Sequence, residues 1–249
     1  MIELLRYARQ LRTIAFVGVI AVFVVLAPTR LVANTKKPHP LPPTLVQWQD
    51  RTNSGDYFSQ VKPIDVGYLV WSRFPLKVYI QNQNTGNNTG KVPWATAVEQ
   101  AVREWSAYLP LVIVEQIEDA DIRILRSPPP LRMTPDKIPR ARSAETSYEL
   151  FISNNTLSHR CTILLSPSQT GQYLQAAARH EFGHALGIWG HSAFATDALY
   201  FSQVRNSPPI SPRDVNTLKR IYEQPTQLGW ELPKAEVKGK GERFSTARS

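Results

Sequence analysis

Residues 180 to 191 read His-Glu-Phe-Gly-His-Ala-Leu-Gly-Ile-Trp-Gly-His, and this stretch limits the possible folds of the chain more than any other. Residues four apart on an α-helix lie one turn up on the same face, so His180 and His184 can aim both imidazoles at one ion if a helix carries them. Glu181 falls beside them, offset around the helix, where it suits a general base acting on a water better than a third ligand. His191 lies seven residues beyond His184, about 10 Å further along if the helix continued, so the chain must turn back to bring it to the same ion. Gly187 is the residue able to end the helix in a left-handed conformation without a Cβ clash. Three protein nitrogens with an open fourth position describe a catalytic rather than a structural zinc. A lone histidine on a helix is usually a packed core residue. Here three of the chain's five histidines fall in one twelve-residue window at ligand spacing.

The flanking residues supply a scaffold for such a helix. Ser166 to Gly171 is a turn cluster, and Tyr173, Leu174, Ala177, Ala178, Glu181 and Ala185 recur at near-helical intervals, which predicts a helix over 171–186. Cys161 to Leu165 reads as a buried strand leading into it, and Val78–Ile80, Val112–Ile117, Asp121–Leu125 and Tyr148–Ser153 as four more. Pro93 opens a helix with apolar Val98, Ala101, Val102 and Trp105, after a polar loop over 81–91. Ser211 suits an N-cap, Pro212 the first helical position and Asp214 the first turn of a last helix, whose stripe is Val215, Leu218, Ile221 and Tyr222. Five strands and about three helices, with the ligands on the second main helix, make an α+β domain.

With these residues in view, the sequence resembles the matrixin-like branch of the metzincin zinc peptidases. Phe74–Ile80 resembles the family's opening strand and Ala120–Ile124 a central strand, while 192–200 resembles the turn under the metal and 211–222 the final helix, so the likeness spans about 66–226. It implies a twisted, mostly parallel five-stranded sheet, one catalytic Zn²⁺ on His180, His184 and His191, and Glu181 as the catalytic base. It further implies a protein or peptide substrate lying along the sheet edge above the metal, with 127–160 as the rim. The family places a methionine in the floor turn just before a tyrosine. This chain has Leu199 before Tyr200, and neither Met1 nor Met133 can substitute. Leu and Met are close in volume, so a formed floor is expected. Tyr200 is a candidate donor or packing residue, and Asp214 is expected to help hold the floor turn. Cys161, the only cysteine, is expected to be buried rather than a zinc-blocking latency device. The remaining histidines, His39 and His159, are not clustered, and no acidic loop has calcium-site spacing, so a second Zn²⁺ or a structural Ca²⁺ is not supported.

Compartment and partners are read from the ends. Arg6, Arg9 and Arg12 precede an apolar run over 14–27, long enough for a signal-peptide core and short for a span of about 20 residues. Residues 1–33 are therefore expected to be a signal peptide or an uncleaved membrane anchor that exports the domain, 34–65 a Pro-rich linker, 66–232 the catalytic domain and 233–249 a basic disordered tail. Of the net charge of +9, five units come from residues 1–37 and three from 234–249. The near-neutral centre argues against a nucleic-acid face. A monomeric, exported zinc endopeptidase is the expectation. Its alternatives are an exported zinc-binding scaffold without turnover, and a zinc amidohydrolase acting on an envelope substrate.

Overall fold

The computed structural model describes residues 36–81, 94–133, 135–202, 204–232 and 243–248. In chain order its elements are helix α1 (Pro43–Gln47), strand β1 (Leu76–Ile80), helix α2 (Trp94–Trp105), strands β2 (Leu111–Val114) and β3 (Ile122–Arg126), a minimal hairpin β4 (Arg132–Met133) and β5 (Pro139–Arg140), strands β6 (Ala144–Ser153) and β7 (Thr156–Leu165), helices α3 (Gly171–Ala185) and α4 (Pro212–Tyr222), and strand β8 (Arg243–Arg248). The main sheet has the order β2-β1-β3-β7-β6-β8. Strands β2, β1, β3 and β7 are parallel, and β6 runs antiparallel to β7. The expected mostly parallel five-stranded sheet is present, with β8 added beyond β6 and with four helices instead of about three.

Alternation builds this sheet. Leu76 and Val78 in β1, Ile122 and Ile124 in β3, and Cys161, Ile163 and Leu165 in β7 are all buried, at the period of two that puts one strand face into a core. Helix α2 presents Val98, Ala101, Val102 and Trp105, as its spacing predicts, and packs on α3. The Trp105 indole donates to the Arg179 carbonyl at 2.9 Å, tying the two helices together. Strands β6 and β7 begin earlier than expected, at Ala144 and Thr156, because they form one long hairpin. Its turn is Asn154-Asn155 with φ of 48° and 60°, a left-handed pair that suits the twist of the flanking strands.

Three expectations need correction or bounding. The segment 34–65 is not a free linker over its described part. Leu45, Tyr57 and Val61 are buried in the core, Lys37 exchanges backbone hydrogen bonds with Thr226 at 3.0 Å, and the Trp48 indole donates to Asn216 at 2.8 Å. Prolines 38, 40 and 42 favour an extended backbone ahead of α1, but extended backbone can still pack when apolar side chains follow it. The tail also contains structure, since Arg243–Arg248 pairs with β6. The apolar run 14–27, most of the 81–91 loop and Pro93 lie outside the described residues. Among the described residues, no helix is long and apolar enough to cross a membrane.

Candidate metal centre

Helix α3 ends just after His184, and the ending is a Schellman motif. The Ile188 amide donates to the Gly183 carbonyl at 3.1 Å and the Gly187 amide to the His184 carbonyl at 3.0 Å. Gly187 takes φ of 123°, and a Cβ there would lie 2.4 Å from the Leu69 carbonyl oxygen. Both backbone conformation and space demand glycine at this position. Carbonyls left free at the helix end find side-chain donors: the Trp71 indole binds Ala185 at 2.8 Å and the Tyr222 hydroxyl binds Leu186 at 3.0 Å.

The turn brings His191 back to the helix pair. One ring nitrogen from each of His180, His184 and His191 lies within 4.8 Å of the others, a cluster close enough to bind a metal ion. His180 Nδ1 lies 2.9 Å from the Ala198 carbonyl and His184 Nδ1 lies 2.7 Å from the Ile188 carbonyl. A carbonyl only accepts, so each Nδ1 carries the proton, and in the neutral ring Nε2 is left as a lone-pair donor. The two Nε2 atoms stand 3.1 Å apart. Lone pairs facing each other at that distance repel unless a cation lies between them. Burial, reinforced by the charges of its histidine neighbours, holds the His184 pKa well below the usual imidazole range. Burial and the His180 charge lower His191 to about 4. Both rings are therefore neutral at neutral pH, as ligation requires.

Glu181 is buried beside the cluster. Thr146, from β6, donates its hydroxyl to Glu181 Oε2 at 2.6 Å and also lies 3.0 Å from the Glu181 carbonyl. No spacing rule marks a threonine 35 residues away, so Thr146 has no sequence signal.

Beneath the helix, Leu199 is fully buried and occupies the space above which Gly183 lacks a side chain. A Cβ on Gly183 would come within 2.6 Å of a Leu199 methyl. The floor turn carrying it is held by Ser192 and Asp214. The Ser192 amide donates to the Leu199 carbonyl at 2.8 Å, while Asp214 accepts from the amides of Ala198 at 2.9 Å and Leu199 at 3.4 Å. Asp214 also completes the capping box of α4 with Ser211 and accepts from the Tyr57 hydroxyl at 2.6 Å. Capping and floor support are thus one carboxylate's work. A continuous chain of hydrogen bonds runs from Tyr57 through Asp214 to the Ala198 amide, and the Ala198 carbonyl then orients His180. Asp197 secures the other side. Burial pushes its carboxyl up, but hydrogen bonds from Arg213, Ser192 and Ser211 outweigh this and hold it below its ordinary value. Arg213 grips it with two bonds, at 2.9 and 2.8 Å.

No protein-family model and no curated protein matches the chain. Two cavities border the cluster, both lined by His184 and His191. One, of about 690 Å³, is walled by Tyr57, Gln60 and Lys62 from the segment expected to be a linker. The other, of about 420 Å³, is lined by Glu181, Ala144, Ala177, Tyr200 and Arg142. Tyr200 thus faces the same space as the candidate base. The other two histidines serve elsewhere: His39 stacks on Trp230, and His159 is buried against Trp71.

Proposed function

We propose that the protein is a zinc-dependent endopeptidase of matrixin-like metzincin type, acting on protein or peptide substrates outside the cytosol. The observation that carries the reading is the pair of Nε2 atoms, 3.1 Å apart and each fixed by an Nδ1–carbonyl bond, with a buried carboxylate alongside. Nitrogens bound tetrahedrally to zinc at about 2.0–2.1 Å lie roughly 3.3 Å apart, so the His180–His184 pair fits that ion, and the His191 nitrogen lies within 4.8 Å of both. His180, His184 and His191 would hold it, and nitrogen-only ligation suits zinc over calcium or magnesium. When bound, zinc supplies a lowered pKa for water and polarisation of a carbonyl.

The chain's own residues do the rest. Glu181, oriented by Thr146, accepts a proton from the attacking water and returns it to the departing amine, so no covalent acyl intermediate is needed. The two cavities bordering the triad leave room for a substrate that extends past the metal, which supports an endopeptidase reading. Export rests on the apolar run at 14–27. Leu199 in place of a floor methionine motivates a second reading, a zinc-binding scaffold without turnover.

Replacing Glu181 separates the two. Glu181→Ala should keep one zinc per chain by atomic absorption while cleavage of a diverse peptide library falls by about 10³-fold or more. Equal cleavage by parent and variant would sink the peptidase assignment. Cleavage by neither, with zinc retained, would favour the scaffold.

A further inference from the structure

Strand β8 lies along the edge of the main sheet whose outer strand, β6, packs on the helix carrying His180 and His184. It pairs antiparallel with the outer edge of β6, placing Arg248 opposite Ser147, Ala247 opposite Tyr148, Thr246 opposite Glu149 and Arg243 opposite Phe151, with an irregularity between Glu149 and Phe151. The inner edge of β6 is already filled by β7 over its whole length. The outer edge is therefore the side of this sheet nearest the metal centre that an extended chain can join by backbone hydrogen bonds. The same strand reaches the chemistry directly. Thr146, one residue from the Ser147 partner of Arg248, holds Glu181, and Ala144 lines the cavity beside the histidines.

Direction matters as much as position. Antiparallel to β6, β8 runs from the Phe151 end toward the Thr146 end, so its sequence proceeds toward the cluster. A polypeptide laid on β6 in that direction would place its residues on the amino side of the scissile bond along Ser147–Phe151, the stretch β8 covers. Arg243–Arg248 is thus an intramolecular ligand of this edge, competing at an effective concentration of the order of millimolar.

We propose that Arg243–Arg248 is an autoinhibitory strand that occupies the peptide-binding edge of β6 and must be displaced before substrate binds. This rests on the endopeptidase reading for its consequence, though not for its structural content. Neighbouring amides along a strand point to opposite sides, so proline at both Ser245 and Thr246 removes a donor facing β6 whichever way the strand is turned.

The test uses the full chain with zinc bound, its Ser245→Pro/Thr246→Pro double variant and Ser245→Ala/Thr246→Ala as a control that keeps both backbone donors. Three measurements are made: hydrogen exchange of the β6 amides over 147–151, binding of a labelled peptide of sequence Arg-Phe-Ser-Thr-Ala-Arg by fluorescence anisotropy, and cleavage of the peptide library. The double-proline variant should exchange the outward-facing β6 amides at least tenfold faster, bind the added peptide at least tenfold more tightly and cleave the library several-fold faster. The double-alanine control should match the parent in all three. Unchanged exchange in the double-proline variant overturns the pairing. Faster exchange without tighter peptide binding overturns the claim that β8 occupies a peptide site, and tighter binding with unchanged, measurable cleavage overturns inhibition. Should no form cleave anything, the peptidase reading fails, inhibition of cleavage falls with it, and exchange and binding still decide whether β8 occupies a peptide edge.

Discussion

The candidate metal centre has two halves of different construction. His180, Glu181 and His184 are set by one helix, whose 3.6-residue repeat puts them side by side whatever lies beyond it. His191 and the floor turn at 192–200 have no such repeat. Their positions depend on a Schellman ending at Gly187, on Asp214 reaching across from α4, and on Tyr57 reaching Asp214 from the start of the domain. The helical half is local, while the looped half is assembled by contacts spanning more than 150 residues. Damage to the looped half should therefore cost metal affinity and stability together, whereas loss of a group that serves only Glu181 in the helical half should cost chemistry alone.

The strongest test of that contrast is Gly187→Ala, at the junction of the halves. A left-handed φ and a Cβ 2.4 Å from the Leu69 carbonyl should together cost about 3 kcal/mol or more. Thermal melts with and without zinc should both drop, and the affinity should fall by more than 10-fold as His191 loses its return path. A variant that melts and binds zinc like the parent would show that the looped half does not depend on this ending.

Asp214→Asn probes the far anchor with a smaller change. The carboxylate accepts from Tyr57 and Leu199 on one oxygen and from Ala198 and Ser211 on the other, so an amide nitrogen in either place faces donors. A cost of about 2–3 kcal/mol is expected. Because the Ala198 carbonyl orients His180, zinc affinity should also weaken by about 10- to 100-fold, the range usual for groups that orient ligands. Competition titration with a chromophoric chelator measures this, and unchanged affinity would reduce Asp214 to a helix cap.

On the helical half, Thr146→Val keeps shape and burial while removing the hydroxyl that binds Glu181. Zinc affinity should stay within about twofold, whereas kcat should fall by about 10-fold, in line with about 1.5 kcal/mol for a hydrogen bond to a charged group. Thr146→Ser should restore most of it. Loss of zinc in Thr146→Val would mean that the two halves are not separable as described.

The same division separates what is legible in the sequence from what is not. The ligand triad, the helix near 171–186, the glycine that ends it and the capped last helix all follow from spacings of seven residues or fewer, and the structure places each of them close to those positions. Asp214 as a floor support came from resemblance instead, since no local pattern links it to Ala198. Thr146 and Tyr57 carried no signal, because a hydrogen bond between residues 35 or 157 apart leaves no periodicity in the chain. The segment 34–65 misled for the opposite reason. Its prolines gave a strong local cue for extension, and the buried Leu45, Tyr57 and Val61 that tie it to the core sit at no regular interval.

Leu199→Met gives the smallest expected effect and the finest probe of the floor. Leu199 is fully buried with its methyl groups against the Cα of Gly183, the helical position between the two helix-borne ligands. Methionine has similar volume and more flexibility, so stability should change by less than about 1.5 kcal/mol, measured by urea denaturation with zinc bound. A shift of that size with zinc affinity held within about twofold would mean that the floor serves the ligands by filling space beneath Gly183, a task either side chain performs. A gain of 10-fold or more in affinity would instead show that the thioether contributes something volume does not. Leucine would then be a tuning residue, and the looped half would influence the metal through the floor side chain as well as through its backbone carbonyls.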